Sequence, residues 1–244
     1  MQLKDSVVLV TGGAHRVGRS ISTLLANKGA NVVIHYRTRQ SEAKTLCQEF
    51  RQKGRQSLAV QGNIESESDW HKMRDQILEE FGRLDVLVNN AAIFYKTPFE
   101  NIRYQDWQNF LNVNLIGPAL GCQVFGEVMK RQGSGKIINI ADVSGETIWK
   151  DYIPYCTSKA GVLALTRGMA KALAPHVTVN AVSPGTVLLA DEYDEEEEKH
   201  LIEKTPLKRV GAPEDIANTV AFLIEGSDFI TGSVIKVDGG RSIV

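Results

Sequence analysis

Tyr155 and Lys159 are the pair whose residue types and spacing could carry acid–base chemistry. Lys159 follows Tyr155 by four positions, so on a helix both side chains lie on one face, one turn apart, and their head groups can meet. An ammonium beside a phenol favours the phenolate, so we expect the Tyr155 pKa to be lowered from about 10, which suits a group that gives and takes a proton. The alternative is a surface lysine covering a tyrosine, because a chain with six tyrosines can produce this spacing by chance.

A glycine-rich turn near the start of the chain predicts a nucleotide partner for this pair. VVLVT at 7–11 is a short β-branched run, typical of a strand buried on both faces of a parallel sheet. TGGAHRVG at 11–18 then opens a helical pattern that stops at Gly29, and NVVIHY at 31–36 predicts the next strand. In such a unit the turn and the helix N-terminus can bind a pyrophosphate through backbone N–H groups. A bare strand-to-helix connection is the alternative.

The alternation of strands and helices continues along the chain. Further strands are predicted at 57–61, 84–92, 136–141, 177–185 and 229–240, and further helices at 41–53, 67–81, 104–132, around Tyr155 and at 213–223. This pattern implies an α/β fold, a doubly wound and mostly parallel sheet of seven strands in one domain spanning 1–244. The segment 188–207 is longer than an ordinary crossover and leaves the sheet edge where such folds bind ligands, so it is a candidate substrate lid.

Composition limits the classes of partner. The 244 residues carry a formal net charge of -1, which gives no basic field for nucleic acid or an anionic membrane. We expect a small-molecule substrate and self-association. Three cysteines without a CxxC pair or metal-ligand spacing predict reduced thiols and no metal site. A cytoplasmic location is expected, because the chain has neither a signal-peptide pattern nor an apolar run of membrane-spanning length.

The residues that follow the second strand predict which dinucleotide binds. An NAD enzyme usually places an acidic residue there, but no carboxylate lies between Asn31 and Glu42. Guanidinium groups bind a 2′-phosphate through paired hydrogen bonds, whereas a carboxylate would repel it. We therefore expect NADPH rather than NADH. The contacts should come from Arg16, Arg37, Thr38 and Arg39. Exposed arginines without a ligand are the alternative.

Several motifs lie in order along the chain: TGGAHRVG, NNAA at 89–92, Asn114, Tyr155 with Lys159, and SPG at 183–185. Together they resemble the short-chain dehydrogenase/reductase family over nearly the whole chain. The resemblance implies a Rossmann-type three-layer sandwich with a seven-stranded parallel sheet, usually assembled as a homotetramer. It also implies that Tyr155 donates the proton, that Lys159 holds the nicotinamide ribose and that Asn114 anchors a water of the proton relay.

Three departures from the family pattern narrow the resemblance. Asp142 stands 13 residues before Tyr155, where a serine is usual. Arg16 replaces the middle glycine of the turn, and Asn63 stands where an aspartate usually lies beside the adenine. Arg16 and Asp142 together resemble the pteridine reductase branch, which includes the dihydromonapterin reductases.

Aromatic residues agree with that branch. Phe94 and Tyr152 match side chains that contact the pterin there, whereas Ala92 replaces an expected serine. The residues expected to bind the cofactor are Gly12, His15, Arg16, Val17, Tyr36, Arg37, Thr38, Arg39, Asn63, Ile64, Asn90, Ala91, Ala92, Tyr155, Lys159, Pro184, Gly185 and Val187. Those expected to contact substrate are Arg16, Phe94, Asp142, Tyr152 and Tyr155, and those expected to act in catalysis are Asp142, Tyr155, Lys159 and Asn114.

The sequence therefore favours NADPH-dependent reduction of a pteridine, from dihydropterin to tetrahydropterin or of a dihydrofolate-like ring. Asp142 could accept hydrogen bonds from the ring and, if burial raised its pKa, share the proton relay with Tyr155. The alternative is a carbonyl reductase such as a 3-oxoacyl-acyl-carrier-protein reductase, which Asp142 disfavours because a carboxylate donates no hydrogen bond unless protonated. A catalytically silent dinucleotide-binding protein is a third hypothesis, disfavoured by the intact Tyr155, Lys159 and Asn114.

Overall fold

Seven parallel strands form one sheet in the computed structural model, which describes residues 1–187 and 195–244. The strands are β1 (Val7–Val10), β2 (Asn31–Tyr36), β3 (Ser57–Gln61), β4 (Val86–Asn89), β5 (Gly135–Ile140), β6 (Val177–Pro184) and β7 (Val234–Val237). The central strands β1, β4 and β5 are buried along their whole length. Burial on both faces explains why their sequences are mostly apolar and do not alternate between apolar and polar residues.

Helices cover both faces of this sheet. They are α1 (Arg16–Asn27), α2 (Gln40–Gln52), α3 (Glu67–Phe81), α4 (Tyr104–Leu111), α5 (Gly117–Gln132), α6 (Ile153–Leu173), α7 (Glu195–Lys204) and α8 (Pro213–Glu225). Apolar residues of α1, α2 and α8 form one core layer with the sheet. Residues of α3, α5 and α6 form the layer on the opposite face. The expected three-layer sandwich with a seven-stranded parallel sheet is thus confirmed.

The strand order reverses beside β1. The sheet runs β3-β2-β1-β4-β5-β6-β7, so the chain moves outward from β1 to β3 and then crosses back to place β4 on the other side of β1. β1 pairs with β2 through Val10 and Ile34, and with β4 through Val10 and Val88. Connections that leave these neighbours in opposite directions open a crevice at the carboxyl ends of the strands, which is where open α/β sheets bind ligands.

Several predicted elements differ in extent from the observed ones; the strand expected over 84–92, for example, is only Val86–Asn89. The helix expected over 104–132 is continuous but contains a π-helical turn, Asn112–Ile116, between α4 and α5. The last strand was expected over 229–240, yet only Val234–Val237 is a strand. Ahead of it the Thr231 hydroxyl accepts from Val179 N at 3.1 Å, so a side chain replaces a backbone ladder bond.

The expected lid falls partly outside the described residues. Residues 188–194 are among those not described, whereas α7 accounts for most of the remainder of 188–207. Among residues 1–187 and 195–244, none of the helices combines the length and the apolar character needed to cross a bilayer.

Candidate active site

A cavity of about 510 Å³ lies at the carboxyl ends of the central strands. Most of the residues expected from the sequence meet in its wall. Those residues are Gly12, His15, Arg16, Val17, Tyr36, Arg37, Thr38, Arg39, Asn90, Ala91, Ala92, Phe94, Asp142, Tyr155, Lys159, Pro184, Gly185 and Val187. The cavity therefore joins the glycine-rich turn at one end to the tyrosine and lysine at the other.

Four expected residues lie behind this wall. Asn63 and Ile64 follow β3, where the Asn63 backbone N–H donates to Asp69 Oδ2 at 3.0 Å and the Ile64 carbonyl accepts from Trp70 Nε1 at 2.9 Å. Asn114 and Tyr152 are buried beneath residues that do line the cavity. None of these four side chains is among the residues that line the cavity, so their expected roles stay predictions.

The chemical centre is a hydrogen bond between a phenol and a carboxyl group. Tyr155 Oη donates to Asp142 Oδ2 at 3.0 Å, and Asp142 Oδ1 accepts from Ser144 N at 2.8 Å. Asp142 lies two residues after the end of β5, and Tyr155 lies in the first turn of α6. The two residues meet because α6 packs against the short helical turn that follows Asp142. Tyr155 is buried and Asp142 is half-buried in the cavity wall, so neither ionised form is well solvated.

Burial controls the protonation of this pair. Desolvation raises the pKa of Asp142, although the Ser144 backbone N–H and the Lys159 charge oppose it. Desolvation, followed by the charge of Asp142, raises the pKa of Tyr155 well above its ordinary value. The lowered Tyr155 pKa expected from the sequence is therefore wrong for this structure. A phenol hydrogen-bonded to a carboxyl group keeps its proton, and the raised pKa of Asp142 makes its neutral acid form easier to reach than in an exposed aspartate.

Lys159 does not reach the phenol oxygen directly. Its ammonium donates to the Ile140 carbonyl at 2.9 Å and lies 5.8 Å from the centroid of the Tyr155 ring. Burial lowers the Lys159 pKa to about 8, against the opposing attraction of Asp142. Helical spacing thus places the two residues on one face, as predicted, but the end of β5 supplies the acceptor for the lysine.

Asn114 connects the site to the long helix. It lies in the π-helical turn, where its Oδ1 accepts from Ile93 N at 2.9 Å and its Nδ2 donates to Ile93 O at 3.0 Å. The same Nδ2 is 3.2 Å from the Ser158 hydroxyl of α6. These contacts fix the backbone just before Phe94. A π-turn displaces one residue from the ordinary helical register, and such turns are frequent at functional sites.

Aromatic rings form the wall opposite the turn. Phe94 stacks on Tyr152 with centroids 4.8 Å apart and an angle of 6°, and it meets Tyr155 edge-on at 4.8 Å. Phe94 remains 43% exposed, so one face of its ring is open to the cavity. Trp149 also lines the cavity and packs edge-on against Tyr152, a contact that sequence reasoning missed. These rings offer a flat apolar surface beside the phenol.

The glycine-rich turn has the shape of a phosphate cradle. Gly12 has a φ of 62°, a conformation that side chains disfavour. A Cβ at Gly18 would collide with the Gly12 carbonyl oxygen and lie 2.7 Å from Asn90 Nδ2. Arg16, at the position of the missing middle glycine, has a φ of 47° and so adopts the left-handed conformation that a glycine would take there. The turn keeps its geometry despite the substitution.

His35 holds this turn from below and was also missed from the sequence. Its Nδ1 accepts from Gly12 N at 3.1 Å, so the proton of the neutral ring is on Nε2, which donates to Gly62 O at 3.0 Å. Burial lowers the His35 pKa to about 4. A signal was present in the sequence, since a polar residue interrupts a strand that is otherwise apolar on both faces.

The arginines after β2 lie at the open end of the cavity with acidic neighbours. Arg37 Nη1 is 3.5 Å from Glu65 Oε2, and Arg39 Nη1 is 3.0 Å from Glu42 Oε1. Both guanidinium groups are more than half exposed, so these ion pairs are weak and can exchange for a phosphate. Glu65 belongs to the segment after β3 and therefore lies outside the range between Asn31 and Glu42 that has no carboxylate.

Comparison with known proteins agrees with this geometry. A family model described as enoyl-(acyl carrier protein) reductase matches residues 12–242. The chain belongs to the short-chain dehydrogenase/reductase family. It is accordingly an oxidoreductase, and the expected cofactor, NADPH, is confirmed. The cradle of Gly12 and Gly18, the N-terminus of α1 and the arginines after β2 are the groups that would hold its phosphates.

The similar curated proteins are named as reductases that act on acyl-carrier-protein substrates. A 3-oxoacyl-[acyl-carrier-protein] reductase FabG from Staphylococcus aureus (strain Mu50 / ATCC 700699) is 38% identical over 95% of this chain and 96% of its own length. A protein of the same name from Aquifex aeolicus (strain VF5) is 38% identical over 98% of each chain. A solved structure from Agrobacterium tumefaciens, provisionally named a gluconate dehydrogenase, is 32% identical with a TM-score of 0.94, over 100% of this chain and 98% of that one.

These relatives overturn the expected pteridine reduction. Similarity over nearly the whole chain leads to 3-oxoacyl-[acyl-carrier-protein] reductases, whereas the pteridine prediction depended on a few positions, chiefly Arg16, Asp142 and Phe94. The structure weakens the physical objection to carbonyl reduction. Asp142 was expected to be a poor hydrogen-bond donor because it would be ionised, but burial raises its pKa and so favours the form that donates.

Proposed function

We propose that this protein is an NADPH-dependent 3-oxoacyl-[acyl-carrier-protein] reductase, which converts the 3-keto group of an acyl thioester to a 3-hydroxyl group. The observation that carries the proposal is the 38% identity, over almost the full length, to relatives with that name. The intact Tyr155 and Lys159 and the dinucleotide cradle support a working reductase. They argue against the hypothesis of a silent dinucleotide-binding protein.

In this proposal Tyr155 supplies the proton. NADPH, when bound, supplies a hydride to the keto carbon. The Tyr155 O–H gives its proton to the keto oxygen, so the C=O bond becomes H–C–O–H and the tyrosine is left as a phenolate. A phenol whose pKa is raised remains protonated until a stronger acceptor forms, and a developing alkoxide is such an acceptor. Lys159 lines the same cavity, and when it is charged its ammonium stabilises the phenolate electrostatically.

Asp142 takes the place of the usual serine as a neutral acid. Its Oδ2 accepts from Tyr155, and its carboxyl group lines the cavity. When protonated, the same group can donate to the keto oxygen and orient it toward Tyr155. Its burial favours this protonated form. The role differs from that of a serine in one respect, because it is lost when the carboxyl group ionises.

Preference for NADPH over NADH is part of the proposal. Arg37, Thr38 and Arg39 border the cavity where the 2′-phosphate would lie, and the ion pairs to Glu65 and Glu42 hold the guanidinium groups near it. A dianionic phosphate is a stronger bidentate partner than an exposed carboxylate. Arg39→Ala should therefore raise the KM for NADPH much more than the KM for NADH. Equal changes for the two cofactors would refute this assignment.

Three further parts of the account stay predictions. The chain is expected to form a homotetramer and to act in the cytoplasm, and the segment 188–207 is expected to close over the substrate. In the described part of that segment, Glu197 of α7 lies near the chain that follows β4, because its carboxylate is 3.5 Å from the Lys96 ammonium.

The test of the proposed function compares two tyrosine variants. Tyr155→Phe should lower turnover of an acetoacetyl thioester by about two to four orders of magnitude, the range typical of general acid–base catalysis, while NADPH binding persists. Tyr104→Phe is the matched control, because Tyr104 is 77% exposed at the start of α4 and should leave turnover unchanged. Retained turnover in Tyr155→Phe would contradict the assignment of Tyr155 as the acid.

A further inference from the structure

Ser144 is a buried hydroxyl without a partner beside the proposed proton donor. Its side chain is 0% exposed, and its Oγ makes no hydrogen bond of standard geometry to any other described residue. A buried hydroxyl without a partner is unfavourable, and buried polar groups of this kind call for an explanation. Ser144 is not among the residues expected from the sequence, because the serine usual in the family stands two positions earlier, where this chain has Asp142.

The position of Ser144 is fixed from two sides. It lies in the single helical turn Val143–Gly145, and its backbone N–H donates to Asp142 Oδ1 at 2.8 Å. The next residue, Gly145, packs so closely on α6 that a Cβ there would lie 2.9 Å from the backbone of Lys159. The first contact fixes the turn relative to Asp142, and the second shows that the turn packs tightly against α6. Its hydroxyl is held against the helix that carries Tyr155.

The hydroxyl acts on the same groups as the proton relay. It lowers the pKa of Tyr155, of Asp142 and of Cys156, although for each of them burial has the larger and opposite effect. A hydroxyl lowers the pKa of an acid when it donates to the ionised form. The sign of this effect is the one expected if the Ser144 hydroxyl donates a hydrogen bond to a phenolate at Tyr155. With the neutral phenol, the hydroxyl makes no hydrogen bond of standard geometry.

The phenolate needs such a donor. After proton transfer Tyr155 carries a negative charge in a buried site, while the Lys159 ammonium is bonded to the Ile140 carbonyl. We propose that Ser144 is a positioning residue whose hydroxyl donates to the Tyr155 phenolate and so replaces, from two residues further along the chain, the hydroxyl that position 142 lacks. This rests on the proposal that Tyr155 is the acid, and not on the identity of the substrate.

The neighbours of Tyr155 define what else can shift its titration. Among the described residues, the groups that face it are the Asp142 carboxyl from the segment after β5, the Cys156 thiol and Lys159 ammonium of its own helix, and the uncharged rings of Phe110 from α4 and Phe94 from the segment after β4. Ser144→Ala leaves all of them in place. A change in the Tyr155 titration in this variant is therefore attributable to the hydroxyl.

The first experiment measures oxidation of a 3-hydroxyacyl thioester with NADP⁺ as a function of pH. In this direction the Tyr155 phenolate accepts the substrate hydroxyl proton while hydride passes to NADP⁺. Ser144→Ala should move the rising limb of kcat/KM upward by about one pH unit, the size expected for one hydrogen bond to a charged group. An unmoved limb would overturn the role of Ser144.

A second measurement does not use a substrate, so it separates this proposal from the proposed function. In protein labelled with 3-fluorotyrosine, the ¹⁹F resonance of Tyr155 is assigned by its loss in Tyr155→Phe, and its titration should shift upward in Ser144→Ala. Ser183→Ala is the matched control, since the Ser183 hydroxyl is also buried and unpartnered but lies in β6. Equal titration curves in wild type and Ser144→Ala, or an equal shift in Ser183→Ala, would refute the proposal.

Discussion

His35 gives the account its most quantitative prediction. The imidazole accepts from Gly12 N and donates to Gly62 O, an arrangement that only the neutral ring can make. Burial lowers its pKa from 6.5 to about 4 in the folded protein. Between these values the unfolded chain binds a proton that the folded chain does not, so stability falls as the pH falls below about 6.5. Above that range His35 contributes no pH dependence.

The magnitude follows from the two pKa values. A ring that titrates at 6.5 when unfolded and at about 4 when folded lowers the free energy of unfolding by about 2 kcal/mol at pH 5 and about 3 kcal/mol at pH 4. His35→Asn removes this titration. At about pH 7 the variant should be less stable than wild type by about 1–2 kcal/mol, because the hydrogen bonds to the turn are impaired. At about pH 5 the difference should disappear.

The assay is urea unfolding of both proteins at several pH values. The remaining carboxyl groups titrate in both chains, so they cancel in the difference between the two free energies of unfolding. The variant should also show a higher KM for NADPH at neutral pH, because Gly12 loses the acceptor that fixes the turn. Parallel stability curves for wild type and His35→Asn from about pH 7 to about pH 4.5 would refute the reasoning.

Three other predictions concern the remaining unusual residues. Because burial raises the Asp142 pKa, the kcat of the wild-type protein should fall as the pH rises and Asp142 ionises. Asp142→Ser should still reduce the thioester but should lose this fall in kcat. Coincident pH profiles of the two proteins would exclude a role for the neutral carboxyl group. Arg16→Gly should relieve the left-handed backbone strain, so the free energy of unfolding should rise by up to about 1 kcal/mol in thermal unfolding, while the KM for NADPH should also rise. The control is Arg19→Gly, which changes an exposed arginine further along α1 and should lower the free energy of unfolding by about 1 kcal/mol. Reduction should decline above about pH 8 as Lys159 loses its proton, and Lys159→Arg should move that decline to higher pH; a profile that is flat through pH 9 would contradict the role of the ammonium.

Much of the fold was predictable, because strands that are buried on both faces appear in the sequence as short, mostly apolar runs. β2, β3 and α3 begin and end as predicted, since each is bounded by turn residues or by a cap such as the Ser66 side chain. The π-turn at Asn112–Ile116 was not predictable. A single extra residue per turn leaves the apolar pattern of a long helix almost unchanged.

The site was predictable in its location and less so in its electrostatics. Motif order brought the nucleotide turn and Tyr155 to one cavity, but the pKa of Tyr155 was expected to fall and instead rises. The spacing of Tyr155 and Lys159 shows that a lysine is near the phenol. It does not show that burial and Asp142 affect the Tyr155 pKa more strongly than the lysine does. His35 was missed because it contacts Gly12, which lies on another segment of the chain. Trp149 and Ser144 lie close in sequence to Tyr152 and Tyr155, but neither belongs to a motif that would mark it as a site residue.

The substrate is the central claim, and one comparison tests it directly. NADPH oxidation is followed with wild-type protein and, side by side, acetoacetyl-acyl carrier protein, a crotonyl thioester and dihydrobiopterin. We predict that kcat/KM is highest for the acetoacetyl substrate by at least two orders of magnitude, and that Tyr155→Phe abolishes this advantage. A higher kcat/KM with dihydrobiopterin or with the crotonyl thioester would contradict it.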